Sequence, residues 1–369
     1  MRSHFVIGSF DRTFFFLAVA MALFGFIMLA SASGPVGYER FGDSYYFLKH
    51  QLFQGFLPGM VVFAAAFFIP YQTWKRYALP MLLISIALLT LVFIPGVGTD
   101  FGTFANSWVA IGNYSFQPSE VVKLTFLIYL AAWLEKRGND LKDLHAGLAP
   151  FLILLSVLTV LIMAQPDLGT LSVIAAMSLI VYFVAGGPVP HLLGIGILGT
   201  IALGIAIKAA PYRAERLMTF LHPELDPQGV GYQINQALLA IGSGGLFGRG
   251  YGHSLQKFQY LPEVIGDSIF AVMSEELGFF LMLGFLALFL ALILRGIKIA
   301  ESAPDAFGTY LVTGIMAWVG VQALVNIGAM VGLLPLTGVT LPFFSYGGTS
   351  IIMTFAAMGV VLNVSKGTK

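Results

Sequence analysis

Residues 269–294 read IFAVMSEELGFFLMLGFLALFLALIL, with two adjacent carboxylates, Glu275 and Glu276, as the only charges. A helix rises 1.5 Å per residue, so about 20 apolar residues cross a hydrocarbon core of roughly 30 Å. With Ser268 this stretch makes a predicted span at 268–294. It decides the fold because it is not alone. Comparable runs lie at 13–31, 51–69, 77–95, 118–134, 146–164, 169–186, 190–209, 308–331 and 346–364. The pair 146–164 and 169–186 is divided by Gln165-Pro166-Asp167. The spacing predicts an all-α polytopic membrane protein of about ten transmembrane helices, a single membrane domain over 1–369.

Composition agrees. Of 369 residues, 58% are hydrophobic and 10% charged, against about 25% charged in soluble domains. The deficit recurs block after block, which excludes a soluble protein with one anchor. A formal net charge of +1 gives no field for nucleic acid. With no cysteine, disulfides, thiolate metal sites and a cysteine nucleophile are excluded. The run from Phe14 to Ala30 is long enough to span and no small-residue cleavage site follows it, so it reads as a span and not a removed signal.

An even number of spans puts both termini on one side. Arg2, Arg12, Lys75, Arg76, Lys136, Arg137, Lys142, Arg295, Lys298, Lys366 and Lys369 fall there, against only Arg40 and Lys49 in the short loops opposite. Short-loop Lys and Arg mark the cytoplasm, so both termini are expected to be cytoplasmic. The long polar stretch at 210–268, between the seventh and eighth spans, is then a large extracytoplasmic loop. No period of 20–50 residues suggests a repeat array, and no matching halves suggest an inverted-repeat transporter.

Chemistry is expected where polar residues meet the membrane. Asp267 closes the long loop at the threshold of the next span. It is either a general base with a pKa raised by partial burial, or a helix cap. Glu275 and Glu276 sit about two turns further on and read as structural, one of them pairing with a loop cation. Glu120 and Lys123 are an i, i+3 pair opening the 118–134 span behind Pro118. Such a pair either neutralises itself or marks a substrate path. Asp167 precedes a span and reads as a cap. Arg213 and Arg216 share a helix face and, with Lys208, suit an anionic headgroup by clamping a phosphate or by snorkelling.

The glycines at 242, 244, 245, 248, 250 and 252 fit neither a dinucleotide fingerprint nor a Walker A loop. Pro335 and Pro342 break the backbone ahead of Ser345, and non-helical backbone at membrane depth has to be buried in protein or line a cavity. Histidines are scattered singly, which argues against a histidine metal site.

Five ordered blocks carry a family resemblance: SFQPSEVVKL at 115–124, QPDLGT at 165–170, GYQINQALLAIGSGGLFGRGYG at 231–252, YLPE followed by Asp267, and PLTGVTLPFFSYGGTS at 335–350. Together they resemble the SEDS family (shape, elongation, division and sporulation), bacterial membrane glycosyltransferases, and HSLQKFQYLPE is closer to its division-type branch than to its elongation-type branch. The resemblance implies polymerisation of lipid II into glycan strands at the outer face of the cytoplasmic membrane. Undecaprenyl diphosphate is the leaving group and a sugar 4-hydroxyl the nucleophile. Asp267 falls on the family's essential aspartate, and Glu120 and Lys123 on a polar pair of its central cavity. Arg213, Arg216 and Arg249 would suit the diphosphate, with Gln233, Lys257 and Ser345 as further substrate-binding positions.

The resemblance also implies a divalent cation, Mg or Mn, and a class B penicillin-binding protein as transpeptidase partner, alongside other division or elongation membrane proteins. The chain departs from the family at Ile265 and Gly266, where His-Thr is usual. It departs again at Ser268, where an aromatic is common, and at Ser107 before Trp108, where Arg is usual. Two other function classes fit the residues: a transporter or flippase of lipid-linked precursors, and a non-catalytic scaffold for division enzymes.

Overall fold

The computed structural model describes residues 10–99, 106–112, 114–209, 211–222 and 229–367. Each of the ten predicted spans is helical: Arg12–Phe41, Tyr46–Phe68, Ala78–Leu91, Pro118–Arg137, Leu144–Met163, Leu168–Val184, Val189–Ala209, Ile269–Glu301, Ala306–Met330 and Gly348–Ser365. Six are long and apolar enough by themselves to cross a membrane. Three more are apolar but shorter. The Pro118–Arg137 helix carries Glu120, Lys123 and Glu135, yet twelve of its twenty residues are buried. Packing, not hydropathy, holds it inside.

Two helices overrun their predicted ends. Arg12–Phe41 runs through Pro35 and stops only at Gly42, whose left-handed φ of 68° lets its N–H return to the Tyr38 carbonyl. This is the usual C-terminal stop for a residue without Cβ. Ile269–Glu301 continues through the polar Arg295–Lys298 turn.

The 210–268 stretch is not the simple loop its polarity suggested. It contains the helices Pro211–Leu221 and Val230–Ser243. Both are amphipathic, so polar residues alternate with apolar ones at three- and four-residue spacing, and neither is long enough to span. A second local addition is a three-stranded antiparallel sheet, 98–99, 108–111 and 114–116, with Val109 paired to Gly98 on one side and Phe116 on the other. It delivers the chain to Gln117, one residue ahead of the Pro118 helix.

The interior is built around the Pro118–Arg137, Leu168–Val184, Ala306–Met330 and Gly348–Ser365 helices, where Phe126, Tyr182, Phe307, Trp318 and Phe344 are fully buried. In the most apolar window of the last helix 83% of residues are buried, against 28% in that of Ile269–Glu301. The C-terminal helix is therefore central, and the helix after Asp267 presents most of its apolar face outward.

Ile269–Glu301 is broken at Gly278, where φ is 70° and ψ 178°. The turn 244–250 fills the break. Arg249 and Gly250 donate N–H bonds to the Glu275 and Glu276 carbonyls, each 3.0 Å, while Phe279 and Phe280 donate to the Gly245 and Leu246 carbonyls at 2.9 and 3.2 Å. A Cβ on Gly278 would lie 2.0 Å from the Gly248 nitrogen, so this approach requires glycine.

Candidate active site

Asp267 lies in the turn 263–268, just before the Ile269 helix. The N-cap of that helix is Ser268, without a side-chain cap bond. The Asp267 carboxylate is engaged elsewhere: Oδ1 accepts from Gln233 Nε2 at 3.3 Å and from Ser268 Oγ at 3.4 Å. Gln233 also donates to Ser268 Oγ at 3.0 Å, so the Val230–Ser243 helix braces the aspartate from outside. Burial pushes the Asp267 carboxyl from the ordinary 3.8 up to about 7, with the negative charge of Glu263 adding to the rise. Asp267 does not occupy the N-cap position of the Ile269 helix.

Asp267 borders a narrow cleft, too tight to hold a water molecule, lined also by Asn326, Leu336, Thr337, Gly338 and Val339. Beyond it, a cavity of about 30 Å³ is lined by Gln117, Glu120, Lys123, Asp167, Thr170, Gly338, Val339 and Thr340. Gly338 and Val339 form a wall of both. The non-helical segment 331–347 thus does line a cavity, and it stands between Asp267 and the intramembrane pair.

Glu120 and Lys123 make a 2.7 Å ion pair, and both are buried. Lys123 Nζ also donates to Gln322 Oε1 at 2.7 Å and lies 4.9 Å from the Trp318 ring centre. Gln322 passes the connection on, donating to the Thr340 carbonyl at 2.9 Å. Among the described residues, the second Glu120 oxygen, Oε2, is buried without a partner. Asp167 accepts from Thr170 N–H at 3.0 Å, so it caps its helix as expected, while also lining the cavity.

Two other expected substrate groups, Lys257 and Ser345, make structural bonds here. Lys257 is buried, and its Nζ is shared among Glu276 Oε1 at 2.7 Å, Ser31 Oγ at 3.0 Å and the Gly252 carbonyl at 2.8 Å. With three donors occupied, it has none left for a ligand. Arg249 is half-exposed and pairs with Glu275 at 3.3 Å. Both Glu275 and Glu276 therefore hold a loop cation, where the sequence suggested one. Ser345 Oγ donates to the Gly266 carbonyl and accepts from Leu341 N–H, each at 2.7 Å, and so ties two backbone segments together. The Arg213 and Arg216 side chains lie outside the described residues.

The sequence reading missed Gln322 and Asn326. Their signal was available: two amides one helical turn apart in an apolar span, where polar side chains serve as interhelical connections. The divalent cation implied by the resemblance finds no cage. Among the described residues no three of His, Asp and Glu come together around a common point, and Glu120 already faces an ammonium.

The sequence pattern of the cell cycle protein family FtsW/RodA/SpoVE matches residues 11–369. Stage V sporulation protein E of Bacillus subtilis (strain 168) is 40% identical over 358 residues, covering 96% of this chain and 97% of its own length. A probable peptidoglycan glycosyltransferase FtsW of Geobacter metallireducens is 39% identical over 365 residues, covering 98% and 97%. Among solved structures, a chain described under the structural coordination of polymerization and crosslinking by a peptidoglycan synthase complex superposes with a TM-score of 0.80 at 30% identity, over 97% of this chain and 98% of the other. The rod shape determining protein RodA of Thermus thermophilus gives 0.71 at 29% identity, over 97% of each chain. With the family pattern running through every helix described above, the chain belongs to the FtsW/RodA/SpoVE family of cell cycle proteins, and it is an integral membrane protein.

Proposed function

We propose that the chain is a peptidoglycan glycosyltransferase that polymerises lipid II at the outer face of the cytoplasmic membrane. The observation that carries this reading is Asp267: a carboxylate raised to about 7, set behind the Gly338–Val339 wall of the Glu120–Lys123 cavity. Relatives of near-equal length are named for the same activity.

In the proposed reaction Asp267 takes the proton of the acceptor's 4-hydroxyl. The oxygen then bonds to the anomeric carbon of the growing chain, and the bond from that carbon to the diphosphate breaks. A base with a pKa near the operating pH suits this transfer. The Glu120–Lys123 cavity is lined by two carboxylates, Glu120 and Asp167, against one ammonium, so its charge does not suit a diphosphate. The diphosphate is assigned to the 210–268 stretch, whose arginines Arg213, Arg216 and Arg249 supply positive charge. A divalent cation, Mg or Mn, enters this proposal as a companion of the diphosphate. Magnesium is commonly held by substrate phosphates with few protein ligands.

The same proposal places both termini in the cytoplasm, supported by the eleven-to-two distribution of short-loop cations. It includes a class B penicillin-binding protein as partner, supported by the likeness to a chain of a peptidoglycan synthase complex. The test is glycan-chain formation from purified lipid II by the purified protein, alone and with its partner. Asp267→Ala is expected to lose activity by at least about a hundredfold, at the low end of what general acid–base groups contribute. Polymerisation at the wild-type rate by that variant sinks the assignment. Lipid II flipping without polymerisation by the wild type would instead favour the transporter.

A further inference from the structure

Three successive carbonyls of the aspartate turn each accept a hydrogen bond from a distant part of the chain. Tyr346 N–H donates to the Ile265 carbonyl at 2.7 Å, Ser345 Oγ to the Gly266 carbonyl at 2.7 Å, and Asn326 Nδ2 to the Asp267 carbonyl at 2.8 Å. Both side-chain donors are bridges. Asn326 Nδ2 also donates to the Val339 carbonyl at 2.8 Å, and Ser345 Oγ receives the Leu341 N–H at 2.7 Å. The turn 265–267 is thereby fastened to 339–341, the segment that walls both the cleft and the cavity.

From this we infer that Asn326 and Ser345 are positioning residues for the transfer step, fixing the Asp267 backbone so that its carboxylate faces the wall at Val339. The inference rests on the reading of Asp267 as the base. Both residues are almost fully buried, at 2% and 5% exposure, and bond to backbone, so they act on the reaction through Asp267. The Asn326 Oδ1 atom is buried without a partner among the described residues. The amide is retained for its two N–H groups, which a carboxylate or an aliphatic side chain would not supply.

The clamp also accounts for the departures at 265 and 266. Those residues enter it by their carbonyls, which Ile and Gly supply as well as His and Thr. The aspartate can be seated without the family's usual pair.

A misplacement near 1 Å costs up to about a hundredfold in rate. Asn326→Ala and Ser345→Ala, in the full chain, are expected to lower kcat for lipid II polymerisation between about tenfold and a hundredfold, with KM within about twofold. Ser345→Thr, which keeps the hydroxyl, recovers most of the loss. Amide hydrogen exchange over 263–268 quickens in both alanine variants. Wild-type kcat in either one, while Asp267→Ala is inactive, overturns the clamp and leaves the base standing. A raised KM at unchanged kcat also overturns it. Wild-type activity in Asp267→Ala removes the base, and the clamp's purpose with it. Should Asn326→Ala fail to fold, Asn326→Ser and Ser345→Ala carry the same expectations.

Discussion

At the residue scale, the proposed role of Asp267 ties the reaction to the ionisation of one carboxyl. A base acts only when unprotonated, so kcat/KM is expected to rise with pH through an acid limb near 7, the value to which burial and Glu263 push this carboxyl. Glu263→Gln removes one of the two causes and is expected to move that limb to lower pH, read from the pH–rate profile. The same raised pKa has a stability consequence of definite sign. Burial favours the neutral form, so the stability it contributes is full below about 3.8 and is lost as pH rises through about 7. Asp267→Asn keeps the group neutral at every pH. Its Tm is therefore expected to exceed that of the wild type above about pH 7, by a few degrees, and to match it near pH 4. An Asn variant no more stable than wild type at high pH would contradict the buried setting. Asp267 was legible as a candidate because acids at span boundaries are few. Its choice between base and cap was not, because that depends on Ser268 taking the N-cap position and Gln233 reaching across from another helix.

At the element scale, the broken helix at Gly278 is the feature most exposed to substitution. Gly278→Ala meets the Gly248 backbone and places an L side chain at φ 70°, which costs on the order of 1–3 kcal/mol in strain alone. The variant is expected to release the 244–258 loop, seen as faster proteolysis of that loop and a lower Tm. The ion pair below it makes a separate prediction. Lys257→Met leaves Glu276 buried opposite no cation, and breaking such a pair costs roughly 3–5 kcal/mol. Adding Glu276→Leu is expected to restore most of the stability in a denaturation series, since the uncompensated charge is then gone. Ten helices were legible from apolar length. The two helices within 210–268 were not, because a short amphipathic helix has a polar average and gains its stability from what it packs against. The sequence gives the Glu275 and Glu276 charges; which loop cations they hold follows from the fold of the turns at 244–257.

At the scale of the whole molecule, the proposed orientation is directly testable because the chain has no cysteine. Gln72→Cys, between the second and third predicted spans, is expected to resist a membrane-impermeant maleimide in intact cells. Tyr260→Cys, exposed in the long outer segment, is expected to react. The reverse pattern would invert the topology and place Asp267 on the wrong side for lipid II polymerisation. By itself the sequence determined the membrane class, the positions of the ten apolar helices and the short list of charged candidates. Each follows from local quantities: the length of an apolar run, the bias of loop charges and the cost of an acid in hydrocarbon. Tertiary structure alone decided which candidates meet. It set Asp267 beside the Glu120–Lys123 cavity through the wall at Gly338 and Val339, withdrew Lys257 and Ser345 into structural bonds, and brought Asn326 to the aspartate turn. The physical reason is range. Hydropathy is summed along the chain, whereas hydrogen bonds and ion pairs are satisfied at about 3 Å between atoms whose residues lie tens to hundreds of positions apart.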